Sequence, residues 1–215
     1  MSSDKTIAIV GLGYVGLPLL HAFSQCYATI GFDTDESRIE QLKGGVDKTG
    51  ELSKQEMQEL SADAFTADET ALSAADVFII TVPSPVDSAN IPDLSALISA
   101  SETVATFLTP GNVVIYESTV YPGATREVCV PILEARSSLR LNSGFFVGYS
   151  PERINPGDRN NKFKQIVKVT SGSDSWSAGF VNELYARVVD STYGAPSIEV
   201  AEAAKVIENI QRDVN

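Results

Sequence analysis

A chain of 215 residues with 43% apolar side chains has the length for one large domain, or for one domain and the start of another. Its net charge of −12 excludes a nucleic acid or an anionic membrane as the partner, because both call for a basic face. Two cysteines and one histidine are too few for a disulfide framework or a zinc site. With no signal-like start and no apolar run of membrane length, a cytoplasmic protein is expected.

The first element is a β-rich apolar run, Ile7 to Val10, which meets Gly11-Leu12-Gly13-Tyr14-Val15-Gly16 and then an amphipathic segment of helical length. A second apolar run, Ala28 to Phe32, ends at Asp33, 17 residues beyond Gly16. Strand, glycine turn, helix and strand in this order form the context that a dinucleotide fingerprint requires. Gly11 lets the chain leave the strand sharply, Gly13 lets backbone N–H groups approach a pyrophosphate, and Gly16 lets the helix pack against the sheet. First-turn amides and the helix dipole then face an anion. Asp33, at the carboxyl end of the second strand, accepts hydrogen bonds from both ribose hydroxyls and repels a 2′-phosphate, so the cofactor is read as NAD rather than NADP. Asp35 adds to that bias, and Arg38 is a cation that softens it.

Ser37 to Lys43 reads as a second crossover helix closed by Gly44-Gly45, Asp47 to Ala62 as short helix and loop, and Ala64 to Thr66 as a brief third strand. Val77 to Val82 is the continuous apolar run of a parallel strand covered on both faces. Thr81-Val82-Pro83-Ser84-Pro85 then forces the chain out of the sheet as a stiff loop, which either flanks the cofactor or serves only as a rigid turn. Asp93 reads as an N-cap, followed at helical spacing by Leu94, Leu97, Ile98, Ser101, Val104, Ala105 and Leu108. Asn112 to Tyr116 is the next buried strand and delivers Glu117-Ser118-Thr119 to the same edge. A helix from Thr125 to Ala135 follows. Phe145 to Tyr149 is another strand with Ser150 to Asp158 as its loop, Ile166 to Thr170 an outer strand, and Asp174 to Val188 a helix. Cys26 and Cys129 lie in helix-like apolar contexts and read as buried thiols. Strands alternating with helices imply an α/β fold, a doubly wound, mostly parallel Rossmann-type sheet with helices on both faces.

In the last segment Val200, Ala203, Ile207, Ile210 and Val214 form one helical stripe, and Glu202, Lys205, Asn209 and Arg212 lie opposite. Periodicity alone leaves that polar face either solvated or functional. The pattern reaches Asn215 with no C-terminal cap, so residues 1–195 read as a cofactor domain and 196–215 as the start of a connecting helix in a longer protein.

Several words carry a resemblance: IVGLGYVGLPL at Ile9 to Leu19, GFD at Gly31 to Asp33, TVPSP at Thr81 to Pro85, and ESTVYPGATRE at Glu117 to Glu127. YSPERINPGD at Tyr149 to Asp158 and APSIEVAEAAKVIENIQRDVN at Ala195 to Asn215 complete the set. With them the chain resembles the UDP-glucose/GDP-mannose dehydrogenase family, most of all the branch that oxidises UDP-N-acetylhexosamines. The resemblance implies oxidation of a sugar C6 alcohol to a carboxylate with two NAD⁺ and one water, through a cysteine-bound thiohemiacetal and thioester. It implies Thr119 and Glu152 as the pair that positions and activates water, and Lys205 and Asn209 as oxyanion stabilisers. Implied cofactor contacts are Gly11, Gly13, Tyr14, Val15, Gly16, Asp33, Arg38, Val82, Pro83, Ser84 and Thr119. Arg153, Ile154 and Arg212 join Lys205 and Asn209 around the sugar nucleotide, and no metal is implied. The family's nucleophilic cysteine and second domain lie past the central helix. This piece is therefore expected to bind NAD without turning over, and the whole protein to form a homodimer through that helix. A two-electron β-hydroxyacid or 6-phosphogluconate-type dehydrogenase, and a non-catalytic NAD-binding module, are the alternative readings.

Overall fold

Strand β1 (Thr6–Val10) sends Ala8 and Val10 into one apolar layer and Ile7 and Ile9 into the other. Strands β4 (Val77–Ile80) and β5 (Val113–Tyr116) do the same, with Phe78, Ile80, Val114 and Tyr116 on the first side and Val77, Ile79, Val113 and Ile115 on the second. This is why the sequence shows unbroken apolar runs rather than alternation: a strand covered on both faces has no solvent side. The computed structural model describes residues 5–86, 91–152 and 167–214, and within the last helix only the backbone of residues 209 and 212–214.

Strands β2 (Ala28–Phe32), β3 (Phe65–Thr66), β6 (Phe146–Tyr149), β7 (Val167–Gly172) and β8 (Ser191–Gly194) complete one sheet of order β3-β2-β1-β4-β5-β6-β7-β8 among the described residues. From β3 to β6 all pairings are parallel. Strand β7 runs antiparallel to β6, and β8 parallel to β7. The strand order reverses between β1 and β4, which makes their carboxyl ends the switch point where open α/β sheets hold ligands.

Helices α1 (Gly16–Ser24), α2 (Glu36–Lys43) and α3 (Lys54–Glu59) follow the first strands. Then come α4 (Ser95–Phe107), α5 (Val130–Ser137), α6 (Ser175–Tyr185) and α7 (Ile198–Val214). Leu17, Leu20 and Phe23 of α1 share a layer with Val181, Leu184 and Tyr185 of α6. Leu97 and Val104 of α4, Leu133 of α5, and Ile198 and Ala201 of α7 fill the other. The doubly wound expectation therefore holds.

Several boundaries differ from the sequence reading. The cap of α4 falls on Leu94, and Asp93 instead accepts the Ser95 amide at 2.9 Å, so it still serves a first-turn donor from one residue further out. The helix expected from Thr125 opens with a π-helical turn, Thr125–Cys129, before α5. Asp174 caps α6 through a reciprocal bond with Ser177, and the helix ends at Tyr185 rather than Val188. Strand β8 has no counterpart in the sequence reading. Its four residues, Ser-Thr-Tyr-Gly, are mostly exposed and carry no apolar signal. Cys129 is buried as expected, but Cys26 is exposed because it lies beyond the end of α1. Among the described residues no helix is long and apolar enough to cross a membrane.

Candidate functional site

The turn after β1 is forced by its own backbone. Gly11 has φ +96°, a conformation that costs a side-chain-bearing residue on the order of 1 kcal/mol or more. A Cβ on Gly16 would stand 1.8 Å from the Gly11 carbonyl oxygen and 2.5 Å from the Thr81 hydroxyl oxygen. Gly16 thus closes the turn onto itself and onto the end of β4, rather than only letting a helix approach the sheet. A Cβ on Gly13 would meet nothing within 4 Å. That position faces open space, which fits the room a diphosphate needs beside the first amides of α1. Thr81 seals the crevice from the other side, its hydroxyl donating to the carbonyls of Gly11 at 2.7 Å and Val10 at 3.1 Å.

Asp33 is tied into the same turn. One carboxylate oxygen accepts the Leu12 amide at 2.7 Å and the other the Asp35 amide at 3.0 Å, which fixes the carboxylate at the tip of β2. A carboxylate so held keeps lone pairs for two ribose hydroxyls. Arg38 does not point freely into this region. Its Nε donates to the Leu12 carbonyl at 3.0 Å and its Nη2 to Asp47 at 2.9 Å. Tyr14 is exposed beside the turn and Val15 half-buried.

The loops after β4 and β5 are stitched together above the sheet. Ser84 donates its hydroxyl to the Thr119 carbonyl at 2.5 Å, and Ser118 donates to the Val82 carbonyl at 2.6 Å. Tyr149 supports the second loop by donating to the Ser118 carbonyl at 3.1 Å. The proline-bounded loop therefore touches the Thr119 loop directly, and the exposed Thr119 side chain stands at this edge.

Beyond Thr119 the edge changes character. Glu117, Glu152, Lys168 and Lys205 are each no more than 8% exposed. Lys168 donates to Glu117 at 2.6 Å and to the Pro151 carbonyl at 3.2 Å, and its Nζ stands 3.9 Å from a Glu152 oxygen. The antiparallel β6–β7 pairing explains the meeting: Gly148 pairs with Gly172 and Tyr149 with Ser171, so the loop leaving β6 runs beside the start of β7, where Lys168 lies. Tyr185 of α6 donates its hydroxyl to the other Glu117 oxygen. Burial pushes the Glu117 carboxyl up to about 7; the Lys168 ammonium pulls it down and the Glu152 carboxylate adds to the rise.

The final helix turns Glu202 and Lys205 inward. Glu202 is fully buried and accepts the amides of Gly123 at 2.6 Å and Thr125 at 3.0 Å, at the start of the π turn. Lys205, one turn on, donates to the Glu152 carbonyl. Val200, Ile207 and Ile210 are 46%, 60% and 57% exposed. The solvated alternative for the polar face is thereby overturned at Glu202 and Lys205: their partners are backbone groups of the edge loops, which periodicity within one helix does not reveal.

One edge thus gathers the glycine turn, Asp33, the Ser84 and Thr119 loops, Glu152 and Lys205. Arg153 and Ile154 lie outside the described residues, as do the side chains of Asn209 and Arg212. Sequence reasoning brought Thr81 and Glu117 to this edge and Glu202 to the polar stripe without their partners, and it missed Lys168, and Asp47 behind Arg38, altogether.

Residues 5–189 match the model of the UDP-glucose/GDP-mannose dehydrogenase family, NAD binding domain. The chain belongs to that family. As its NAD binding domain, the chain is 52% identical over 213 residues to a UDP-N-acetyl-D-glucosamine 6-dehydrogenase of Pseudomonas aeruginosa, covering 99% of this chain and 50% of the relative. A UDP-D-ManNAc dehydrogenase structure from Pyrococcus horikoshii superposes with a TM-score of 0.89 at 33% identity, over 97% of this chain and 51% of the other. An NDP-N-acetyl-D-galactosaminuronic acid dehydrogenase from Methanosarcina mazei does so at 0.87 and 29%, over 98% and 48%. The chain spans about half the length of the curated relatives it matches.

Proposed function

We propose that residues 1–195, with the start of a connecting helix over 196–215, form the cofactor half of a nucleotide-sugar 6-dehydrogenase. The whole protein would oxidise the C6 alcohol of a UDP-N-acetylhexosamine to a uronate with two NAD⁺ and one water. One observation carries this reading: Lys205 reaches the Glu152 loop at the very edge where the glycine turn and Asp33 open. An edge with a ribose-accepting carboxylate at one end, and a buried carboxylate and ammonium at the other, suits hydride removal followed by water activation. The name of the Pseudomonas aeruginosa relative supports an amino-sugar substrate.

Bound NAD supplies the hydride acceptor. The amides around Gly11, Gly13, Tyr14, Val15 and Gly16 hold its diphosphate, Asp33 its adenosine ribose, and Val82, Pro83, Ser84 and Thr119 flank it. Arg38 acts here through the Leu12 carbonyl. Thr119 and Glu152 orient and deprotonate water, and Lys205 and Asn209 stabilise negative charge on the C6 oxygen. Arg153, Ile154 and Arg212 contact the sugar nucleotide. A homodimer through α7 goes with this reading, supported by the exposed stripe of Val200, Ile207 and Ile210. The reaction joins two nucleotide-linked solutes, and we place it in the cytoplasm.

Neither thiol suits capture of an aldehyde. Burial pushes Cys129 up to about 11, and Cys26 lies past α1, its Sγ 3.8 Å from the Arg187 carbonyl oxygen. The 215-residue chain is therefore expected to bind NADH in a calorimeter and to form no uronate from NAD⁺ and UDP-N-acetylglucosamine. Absence of NADH binding would overturn the cofactor assignment, and four-electron turnover of the UDP-sugar to the uronate by this chain would overturn the need for a further nucleophile. Turnover of hydroxy acids would favour the two-electron alternative.

A further inference from the structure

Arg38 stands where an NADP site would keep a cation. Its backbone N–H is accepted by Asp35 at 3.2 Å, and its Nε reaches the carbonyl of Leu12, whose own amide is held by Asp33. The guanidinium and the carboxylate that meets the adenosine ribose are thus bridged by a single residue, Leu12. In such a position a free planar fork binds a 2′-phosphate through two parallel charged hydrogen bonds.

Here the fork is engaged below the surface. Its Nη2 donates to Asp47 at 2.9 Å, and the two side chains are 11% and 1% exposed. Asp47 is itself built in, accepting the Thr49 amide at 2.9 Å, the Thr49 hydroxyl at 2.6 Å, the Glu51 amide at 2.9 Å and the Leu52 amide at 3.1 Å. Burial raises its carboxyl, but the Thr49 hydroxyl, the Leu52 amide, Arg38 and the Thr49 amide outweigh it and hold the group below its usual range, so it stays ionised. Taking Arg38 away to serve a phosphate would leave a buried carboxylate without its cation, which is the costly half of breaking such a pair.

We infer that Asp47 is a second determinant of NAD over NADP, because it ties the Arg38 guanidinium into a buried pair and so withholds it from a 2′-phosphate. The inference rests on Asp33 being the adenosine-ribose carboxylate. Selectivity then has two independent parts, repulsion by Asp33 and sequestration of Arg38 by Asp47, set 14 positions apart in the chain. Removing the repulsion alone leaves the attractor locked.

The test is fluorescence titration of NADH and NADPH against the 215-residue chain. Asp33→Asn alone is expected to change NADPH affinity by less than about threefold. Asp33→Asn with Asp47→Asn tightens NADPH by about tenfold or more beyond that, the scale of one charged hydrogen bond. Adding Arg38→Leu to the pair removes the gain. Asp47→Asn by itself, whose one amide oxygen still accepts the Glu51 and Leu52 amides and whose NH₂ then faces the guanidinium, leaves NADH binding within about threefold of the unsubstituted chain. Should the Asp47 variants fail to fold, Asp33→Asn with Thr34→Arg brings an untied guanidinium to the same edge and is expected to gain NADPH affinity where Asp33→Asn does not. Full NADPH binding by Asp33→Asn alone overturns the inference. So does a gain that survives Arg38→Leu, or no gain in the folded Asp33→Asn, Asp47→Asn chain or the Thr34→Arg variant. NADH binding by the unsubstituted chain separates these outcomes from failure of the cofactor site itself, which would remove both readings.

Discussion

At the β1–β2 end of the sheet the edge that opens to ligand is main chain and one half-exposed carboxylate, Asp33, with the Arg38–Asp47 pair buried behind it; at the β5–β7 end it is made of charged side chains no more than 8% exposed. The first end has a glycine with positive φ and a turn too tight for a Cβ at Gly16. The second has Lys168 between Glu117 and the Glu152 loop, and Lys205 above it. Holding a diphosphate needs N–H groups at the surface and little else. Moving protons at neutral pH needs carboxyls lifted from their ordinary range, and that requires taking charge out of water.

The difference is broken most severely at Lys168. Lys168→Met leaves the Glu117 carboxylate buried without its cation, and urea unfolding is expected to show a loss of roughly 3–5 kcal/mol. Glu117→Leu added to it recovers most of that loss, since an apolar pair leaves no charge behind. A cost under about 1 kcal/mol for the single change would mean the cluster is solvated and the two ends are alike.

At the other end, Gly16→Ala places a Cβ where the Gly11 carbonyl oxygen already stands. NADH affinity is expected to fall by about a hundredfold, roughly 3 kcal/mol, as the turn shifts. Calorimetry showing unchanged affinity would separate the turn from the cofactor.

The two ends also differ in the sign of their pH dependence. Glu117, faced by Lys168 of β7, Tyr185 of α6 and Glu152, is raised in the folded state from 4.5 to about 7. Its contribution to stability is fully present below about 4.5 and is lost as pH rises to about 7, a decline on the order of 3 kcal/mol. Asp47 is lowered, so its contribution is present above its ordinary value and is lost on acidification below it. Thermal melts of Glu117→Gln should flatten the slope between pH 5 and 7, and those of Asp47→Asn the slope on the acid side.

The smallest effect belongs to the outer face of α7. Ile207→Ser is expected to change stability by less than about 0.5 kcal/mol, because the side chain is 60% exposed. It should weaken any concentration-dependent association seen by light scattering; strictly monomeric behaviour of the unsubstituted chain would count against the homodimer.

The glycine turn, Asp33 and the strand pattern were legible because they are local. Positive φ, close backbone approach and double-sided burial each restrict residue type within a few positions. The burial and pairing of Glu117, Lys168 and Glu202 were not, because charged residues signal solvent in a sequence while their partners lie 51, 68, 77 and 79 residues away. Asp47 sits in a polar stretch that reads as loop, and only the fold shows that loop amides and Arg38 converge on it. Lys205 was found through resemblance, with its partner, the Glu152 carbonyl, unforeseen. Strand β8 escaped because its pairing with β7, not its own composition, makes it a strand.

The seat of Glu202 has a mutational asymmetry. Its carboxylate grips two peptide N–H groups, at Gly123 and Thr125, rather than two side chains. Every amino acid except proline offers such a group at position 125, so drift in that loop cannot easily unfasten the helix from it. Position 202 enjoys no such latitude: of the groups that seat α7, it alone must be a carboxylate long enough to reach both N–H groups.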